Sequence, residues 1–222
     1  MFLRSALAAS LGLALASPAL AVDQNIEKVN GSITAEAGSR YGQLETVNGS
    51  IRVGASARTG SIETVNGGVH VDENARVGGV ETVNGAIRVG PGSTLAGNVG
   101  TVNGGIFIDR GGAVRGAVET VNGAIGLVDT DVDKGISTVN GDITVGVGSH
   151  VRGGIRVEKQ PQWLGMGIRR KPRIVIGPQA RVDGPLVFER DVVLYVHDSA
   201  KTGAITGAQA IRFSTPTPPD KN

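Results

Sequence analysis

The tripeptide Val-Asn-Gly returns seven times in register, and any fold this chain adopts must accommodate that return. The copies are Val29-Asn30-Gly31-Ser32-Ile33, Val47-Asn48-Gly49-Ser50-Ile51, Val65-Asn66-Gly67-Gly68-Val69 and Val83-Asn84-Gly85-Ala86-Ile87, then Val102-Asn103-Gly104-Gly105-Ile106, Val121-Asn122-Gly123-Ala124-Ile125 and Val139-Asn140-Gly141-Asp142-Ile143. The asparagines step by 18, 18, 18, 19, 19 and 18 residues. A fixed period of this length marks a repeat architecture, in which each unit buries its apolar face only against the next.

Within one period the residues read as short strands. Ile51-Arg52-Val53 alternates apolar and polar, as a half-buried strand does. A Gly-Ala-Ser bend follows, then Ala57 and Thr59, and Gly60 turns the chain into Ile62-Glu63-Thr64-Val65. Glycine and β-branched residues oppose helix throughout. Such strands cannot bury an apolar side alone, so the expected fold is all-β, a single-stranded parallel β-solenoid (β-helix) of about nine coils of 18–20 residues. The crossover rule favours a right-handed coil. Asn-Gly is also a hairpin signal, which makes an antiparallel meander the structural alternative. Hairpins, however, have no need of a constant pitch. With aromatics at 3% and no cysteine, the core must be Val, Ile, Leu and Ala, without disulfides.

In a solenoid, equivalent residues line up in columns at the strand spacing of about 4.8 Å. Asn30, Asn48, Asn66, Asn84, Asn103, Asn122 and Asn140 are then a structural ladder at one corner. Asparagine suits it because it tolerates left-handed backbone angles and its amide can bond its copies above and below. The following glycine relieves the turn. Asn30 and Asn48 fit the glycosylation sequon only as a by-product of the repeat. Thr46, Thr64, Thr82, Thr101, Thr120 and Thr138 form a second column, and Glu45, Glu63, Glu81 and Glu119 a broken third. Arg52, His70 and Arg88 point outward. All three rows are expected to be solvated.

The organisation read from the chain is a signal peptide at 1–21, Val-Asn-Gly coils at 22–157, a protruding basic loop at 158–172, capping coils at 173–213 and a disordered tail at 214–222. Arg4, the apolar run Ala6 to Ala16, Pro18 and Ala19-Leu20-Ala21 carry the export reading. The run is too short to span a bilayer, and no transmembrane segment is expected. Without Arg4 the 22 basic residues become 21, against 20 acidic, so no nucleic-acid partner is expected. Phe188, Tyr195 and Phe213 gather near the C-terminus, where a cap would shield the pairing edge.

The residues offer little chemistry. His70, His150 and His197 lie on different coils, cysteine is absent, and no hydrolase or phosphate-loop motif occurs. No catalytic residue and no cofactor is expected, and the chain is read as a non-enzyme. Asp129, Asp131 and Asp133 are the one anomaly. Alternation puts three acids on one side of a strand, so either Val132 points inward or the acids bind a hard cation such as Ca²⁺. Trp163, Arg169, Arg170 and Lys171 are the candidate partner-contact residues, an aromatic within a cationic loop suited to an anionic surface.

Thr-Val-Asn-Gly-x-Ile-x-Val, over residues 29–157, resembles a bacterial adhesin-like β-solenoid family. Ile174-Val-Ile-Gly-Pro-Gln-Ala-Arg-Val-Asp-Gly-Pro-Leu186, within 173–213, looks like a rung of the bactofilins, polymer-forming β-helices. Bactofilins are cytoplasmic, and an export signal departs from that pattern. The resemblance implies an exported protein of the bacterial envelope, periplasmic or on the surface. Its expected partner is an envelope polymer or protein, or a further copy of itself through the coil ends. The alternative is a carbohydrate-active or acyl-transfer β-helix enzyme. A groove lined by two carboxylates and a basic residue would favour the enzyme, and smooth coils the scaffold.

Overall fold

The repeats stack into three parallel sheets, of ten, ten and seven strands. The computed structural model describes residues 23–159 and 170–219, and these contain strands and turns but no helix. One coil shows the plan. Ile62–Asn66 lies on the first face, Val69–Val71 on the second and Arg76–Val77 on the third. One coil on, Val80–Asn84, Ile87–Val89 and Thr94–Leu95 repeat it. Register is strict: Ile62 faces Val80, Glu63 faces Glu81, Thr64 faces Thr82 and Asn66 faces Asn84, in parallel. The chain is therefore a β-solenoid of about nine turns, and the antiparallel meander is excluded. Val-Asn-Gly forms the corner between the first and second faces.

The interior is narrow, and side chains of modest size fill it. Leu44, Ile62 and Val80 point in from the first face, Ile51, Val69 and Ile87 from the second, and Val77 and Leu95 from the third, all at most 3% exposed. A large ring has room only in the C-terminal coils, where Phe188 follows Val157 in the inward column.

The threonine column corrects the sequence reading. Thr46, Thr64, Thr82, Thr101, Thr120 and Thr138 are buried, at 1–5% exposure. Alternation puts each on the inward side, two residues after the core Leu, Ile or Val. Its hydroxyl does not stay unpaired. Thr64 Oγ1 donates to the Gly49 carbonyl at 2.9 Å, Thr82 to Gly67 at 2.9 Å and Thr101 to Gly85 at 3.0 Å. From Thr46 to Thr120 threonine thus supplies β-branched bulk and a donor that ties its strand to the corner of the coil before it, while Thr138 accepts from the Gly141 N–H of its own corner at 2.9 Å.

At that corner the asparagines form an unbroken ladder. Each Nδ2 donates to the Oδ1 one coil earlier at 2.9–3.0 Å, from Asn48→Asn30 to Asn140→Asn122. The last oxygen, on Asn140, accepts from Arg190. Left-handed backbone is not the reason for asparagine here, since none of the seven has positive φ. The left-handed column lies at the corner between the second and third faces, through Ser56, Asn74, Gly92, Gly111, Asp129, Gly148 and Gln179. Glycine at the Val-Asn-Gly corner answers to close approach instead. A Cβ on Gly67, Gly85 or Gly104 would run into the carbonyl of the corner glycine one coil earlier.

Ile174, in Arg173–Ile176, resumes the column of Ile143 after Ile155–Val157, and most of the expected protruding loop, residues 160–169, lies outside the described residues. Tyr195 and Phe213 do not plug the end. They pack with Val175 on the outside of the second face. Arg173 stacks 5.0 Å over the Tyr195 ring and donates to the Pro219 carbonyl at 3.0 Å. Residues 214–219 form no strand, and Arg173 ties Pro219 to the second face. Residues 1–22 and 220–222, with the signal-peptide reading and the end of the tail, lie outside the described residues.

Both terminal rungs put a cation where the core would continue. Lys28 is paired with Thr46 and Arg212 with Val196, both inward positions, and each cation is exposed. An inward-pointing charge blunts an open pairing edge.

Two predictions follow from this packing. Gly85→Ala is expected to cost about 1–3 kcal/mol in thermal or urea unfolding, as overpacking does. Gly100→Ala, with nothing within 4 Å of a new Cβ, should stay within about 0.5 kcal/mol of the parent. Lys28→Val with Arg212→Val should raise self-association, read by size-exclusion chromatography with light scattering; unchanged mass across concentration would show that these charges do not guard the ends.

Candidate functional site

Strand alternation builds a two-column surface on the first face. With Ile62 and Thr64 inward, Glu63 and Val65 must point out, and the register repeats this in every coil. Glu27, Glu45, Glu63 and Glu81 stand opposite one another in sequence, then Gly100 and Glu119. Val47, Val65, Val83 and Val102 are 40–41% exposed, and Val29, on the first described rung, 65%. Together with Val121, Val139 and Glu158 they line a trough of about 600 Å³ running along the solenoid axis.

The acids of this column carry no counter-charge. Among the described residues, Glu27, Glu45, Glu63, Glu81 and Glu119 make no salt bridge and no side-chain hydrogen bond, whereas Asp72, Asp133, Asp142, Asp183 and Glu189 are all paired. Lys28, the one basic residue of the lining, donates to the Ser32 carbonyl at 2.8 Å. Sequence reasoning picked out the glutamates and missed the valines. The same alternation that marks Glu63 as outward marks Val65, but an apolar residue in a repeat motif reads as core.

On the second face the outward column Arg52, His70, Arg88 is exposed, as expected, and Phe107 continues it. Arg52 Nη2 meets both Asp72 oxygens at 2.9 Å, and His70 Nε2 lies 3.0 Å from Asp72 Oδ1. His150 Nε2 lies 2.7 Å from Asp183 Oδ2, and His197 Nδ1 2.8 Å from Ser199 Oγ. The histidines stay apart, as their coil positions required.

The three aspartates do not converge. Asp129 is a left-handed corner residue with φ 45°, where its short polar side chain is tolerated. Val132 is fully buried, and Asp131 and Asp133 point outward on either side of it. Arg152 pairs with Asp133, while Arg115 and His150 lie 3.8 Å from Asp133 and Asp131. Among the described residues no group of His, Cys, Asp or Glu is arranged to hold a metal ion.

The proposed partner-contact quartet divides. Trp163 and Arg169 lie outside the described residues. Arg170 is ion-paired with Asp142, and Lys171 Nζ with Asp191 at 3.0 Å. Asp142 also accepts from the Arg173 backbone N–H at 2.8 Å, so this departure from the Ser, Gly or Ala of other copies anchors the loop's exit. Glu189 anchors its entry. The Lys159 backbone N–H and the Arg156 guanidinium hold the Glu189 carboxyl below its ordinary range. The Arg181 guanidinium, then His150, do the same for Asp183.

No family model, no curated protein and no solved structure matches this chain.

A carboxyl with a lowered folded pKa stabilises above its unfolded pKa, and that contribution is lost as pH falls through the folded value. Stability carried by Glu189 should therefore be intact above pH 4.5 and decline below it. Carbon-13 NMR titration should show Glu189 titrating below the ordinary glutamate value of 4.5. Glu189→Gln should flatten the acid limb of a stability–pH curve; an unchanged limb would remove Glu189 as an acid-sensitive clamp.

Proposed function

We propose that this chain is a non-catalytic, exported β-solenoid of the bacterial cell envelope that binds an envelope polymer or protein through the trough on its first face. The observation that carries the reading is an exposed row of valines beside an unpaired row of glutamates, running coil after coil. Isolated exposed apolar residues are ordinary, but a continuous apolar stripe with a polar rim is the form of a contact surface. Arg4 and Ala19-Leu20-Ala21 support export, and the Val-Asn-Gly resemblance supports an envelope setting. The cations at the end rungs, Lys28 and Arg212, weigh for the flank over the coil ends as the contact surface.

A carbohydrate-active β-helix is the rival reading, and one observation favours it: the trough is lined by several carboxylates and Lys28. Acid–base cleavage of a glycosidic bond, however, needs two carboxyl groups in unlike settings on opposite sides of the bond. These glutamates occupy equivalent places in one row, all on the same side.

The test is capture from envelope extract with three immobilised mature proteins: the parent, a trough variant (Glu45, Glu63 and Glu81→Gln with Val65 and Val83→Thr) and a loop variant (Trp163, Arg169, Arg170 and Lys171→Ala). The parent and loop variant should recover the same partner and the trough variant should lose it. Equal recovery by all three would remove the trough as the contact surface. Hydrolysis of an envelope glycan, abolished by a single Glu→Gln change, would establish the rival. Cell fractionation with N-terminal sequencing should find the chain outside the cytoplasm and beginning after Ala21; an intact N-terminus in the cytosol would overturn the envelope role.

A further inference from the structure

We propose that the trough binds an extended cationic polypeptide in the polyproline II conformation, laid along the solenoid axis with a Lys or Arg at every third position. The proposal rests on the reading that the first face is the contact surface, and it names the class of partner.

Charge is the first ground. Among the described residues five glutamates stand in one column without a cation, four of them on consecutive rungs, whereas Asp133, Asp142, Glu189 and Asp191 have guanidinium or ammonium partners. Like charges directly opposite one another destabilise a sheet. A bound row of cations removes that cost, so the apo protein stores part of the binding energy.

The second ground is the character of the walls. The valine column offers a continuous aliphatic surface on which proline rings and the methylene stems of Lys or Arg can lie, with the charged heads reaching the glutamates. The lining contains Glu, Lys, Val, Thr, Asn, Gly and Ser but no aromatic ring, so it lacks the platform on which sugar rings stack.

The third ground is spacing. The strands of the first face are paired with neighbours on both sides, so within the trough the ligand meets side chains and not a free edge. A polyproline II strand needs no backbone partner and advances about 9.3 Å in three residues. Two rungs of the solenoid span about 9.6 Å. The two-residue repeat of a β-strand, about 6.8 Å, matches neither one rung nor two. Glu45, Glu81 and Glu119 are two rungs apart in turn, with Glu63 and Gly100 on the rungs between. A chain with cations at every third residue therefore meets Glu45, Glu81 and Glu119, drifting by about 0.6 Å over the whole span.

The test uses the mature protein and a labelled peptide of four Lys-Pro-Pro repeats, titrated at low and moderate salt by fluorescence anisotropy. The periodic peptide should bind, and more weakly as salt rises. A peptide of the same composition with its lysines in one block should bind about tenfold more weakly, as should the Glu45, Glu81 and Glu119→Gln variant with the periodic peptide. Gly100→Glu, placed where a Cβ meets nothing, gives the intervening rungs a third acid and should tighten binding about two- to fivefold. Circular dichroism and unfolding midpoints confirm that each variant is folded. Equal binding of the periodic and block peptides overturns the spacing argument and with it the proposal. Tighter binding of an amino-sugar oligomer than of the periodic peptide overturns the polypeptide class. No peptide binding, with capture from envelope extract still lost in the trough variant, overturns this partner class and leaves the face as the contact surface. If capture is undiminished as well, both readings fall.

Discussion

Within the stacked coils, each strand and corner residue lies against its own equivalents in the neighbouring coils, at the spacing of paired strands, about 4.8 Å. That condition acts on each position many times over. An amide that can both donate and accept gains from it, and Asn30 through Asn140 become a single chain of side-chain hydrogen bonds pointing one way. Such chains strengthen link by link. Their aligned amides leave an oxygen at the C-terminal end, and Arg190 places its positive charge there. A side chain that cannot tolerate its own copy is excluded. The corner glycines lie so close to the previous coil's carbonyl that not even a methyl fits.

The same stacking sets what the interior can be. Three short strands per turn enclose little space, so the core is β-branched residues and leucine, with Phe188 admitted only after the repeat has ended. A buried threonine in each coil would be costly if its hydroxyl were orphaned. The corner carbonyl of the preceding coil removes that cost, and it does so in coil after coil because the geometry recurs. Backbone pairing, the amide ladder and these hydroxyl bonds all act between adjacent coils, which is why the chain needs neither cysteine nor a large aromatic core.

The architecture was legible because it is periodic. Alternation around Ile62 and Ile51 identified the strands, and the pitch of Val-Asn-Gly ruled for coils over hairpins. Interactions that cross coils without repeating were not legible. Nothing near Asn140 marks Arg190 as its partner 50 residues later, and nothing near Asp142 marks Arg170. Asp129 looked like part of a carboxylate run because turn residues and strand residues share one alphabet. Only its left-handed φ separates it from Asp131 and Asp133. Thr64 was misjudged and Val65 passed over for a common reason. Polarity suggested that threonine faces water, whereas position along the strand puts Thr64 inward and Val65 outward.

Strand length explains why the candidate surface belongs to the first face alone. The second face has three-residue strands, such as Val69–Val71, and presents one outward residue per coil; the third has two-residue strands, such as Thr94–Leu95. The first face has five, as in Ile62–Asn66, and so carries two outward columns with the inward threonine between them. A trough requires two walls, and within the coils up to Val118–Asn122 only this face has the length to build them. The residues chosen for those walls differ from the ones stability would select. A row of acids on neighbouring rungs repels itself, and a row of valines in water gains only partial burial from its neighbours, as the rise from 40% exposure at Val65 to 65% at Val29 shows. Elsewhere acids such as Asp72, Asp133, Asp142 and Glu189 are neutralised by local cations. Here both columns stay open along most of their length, which is why the proposed contact is placed on this face.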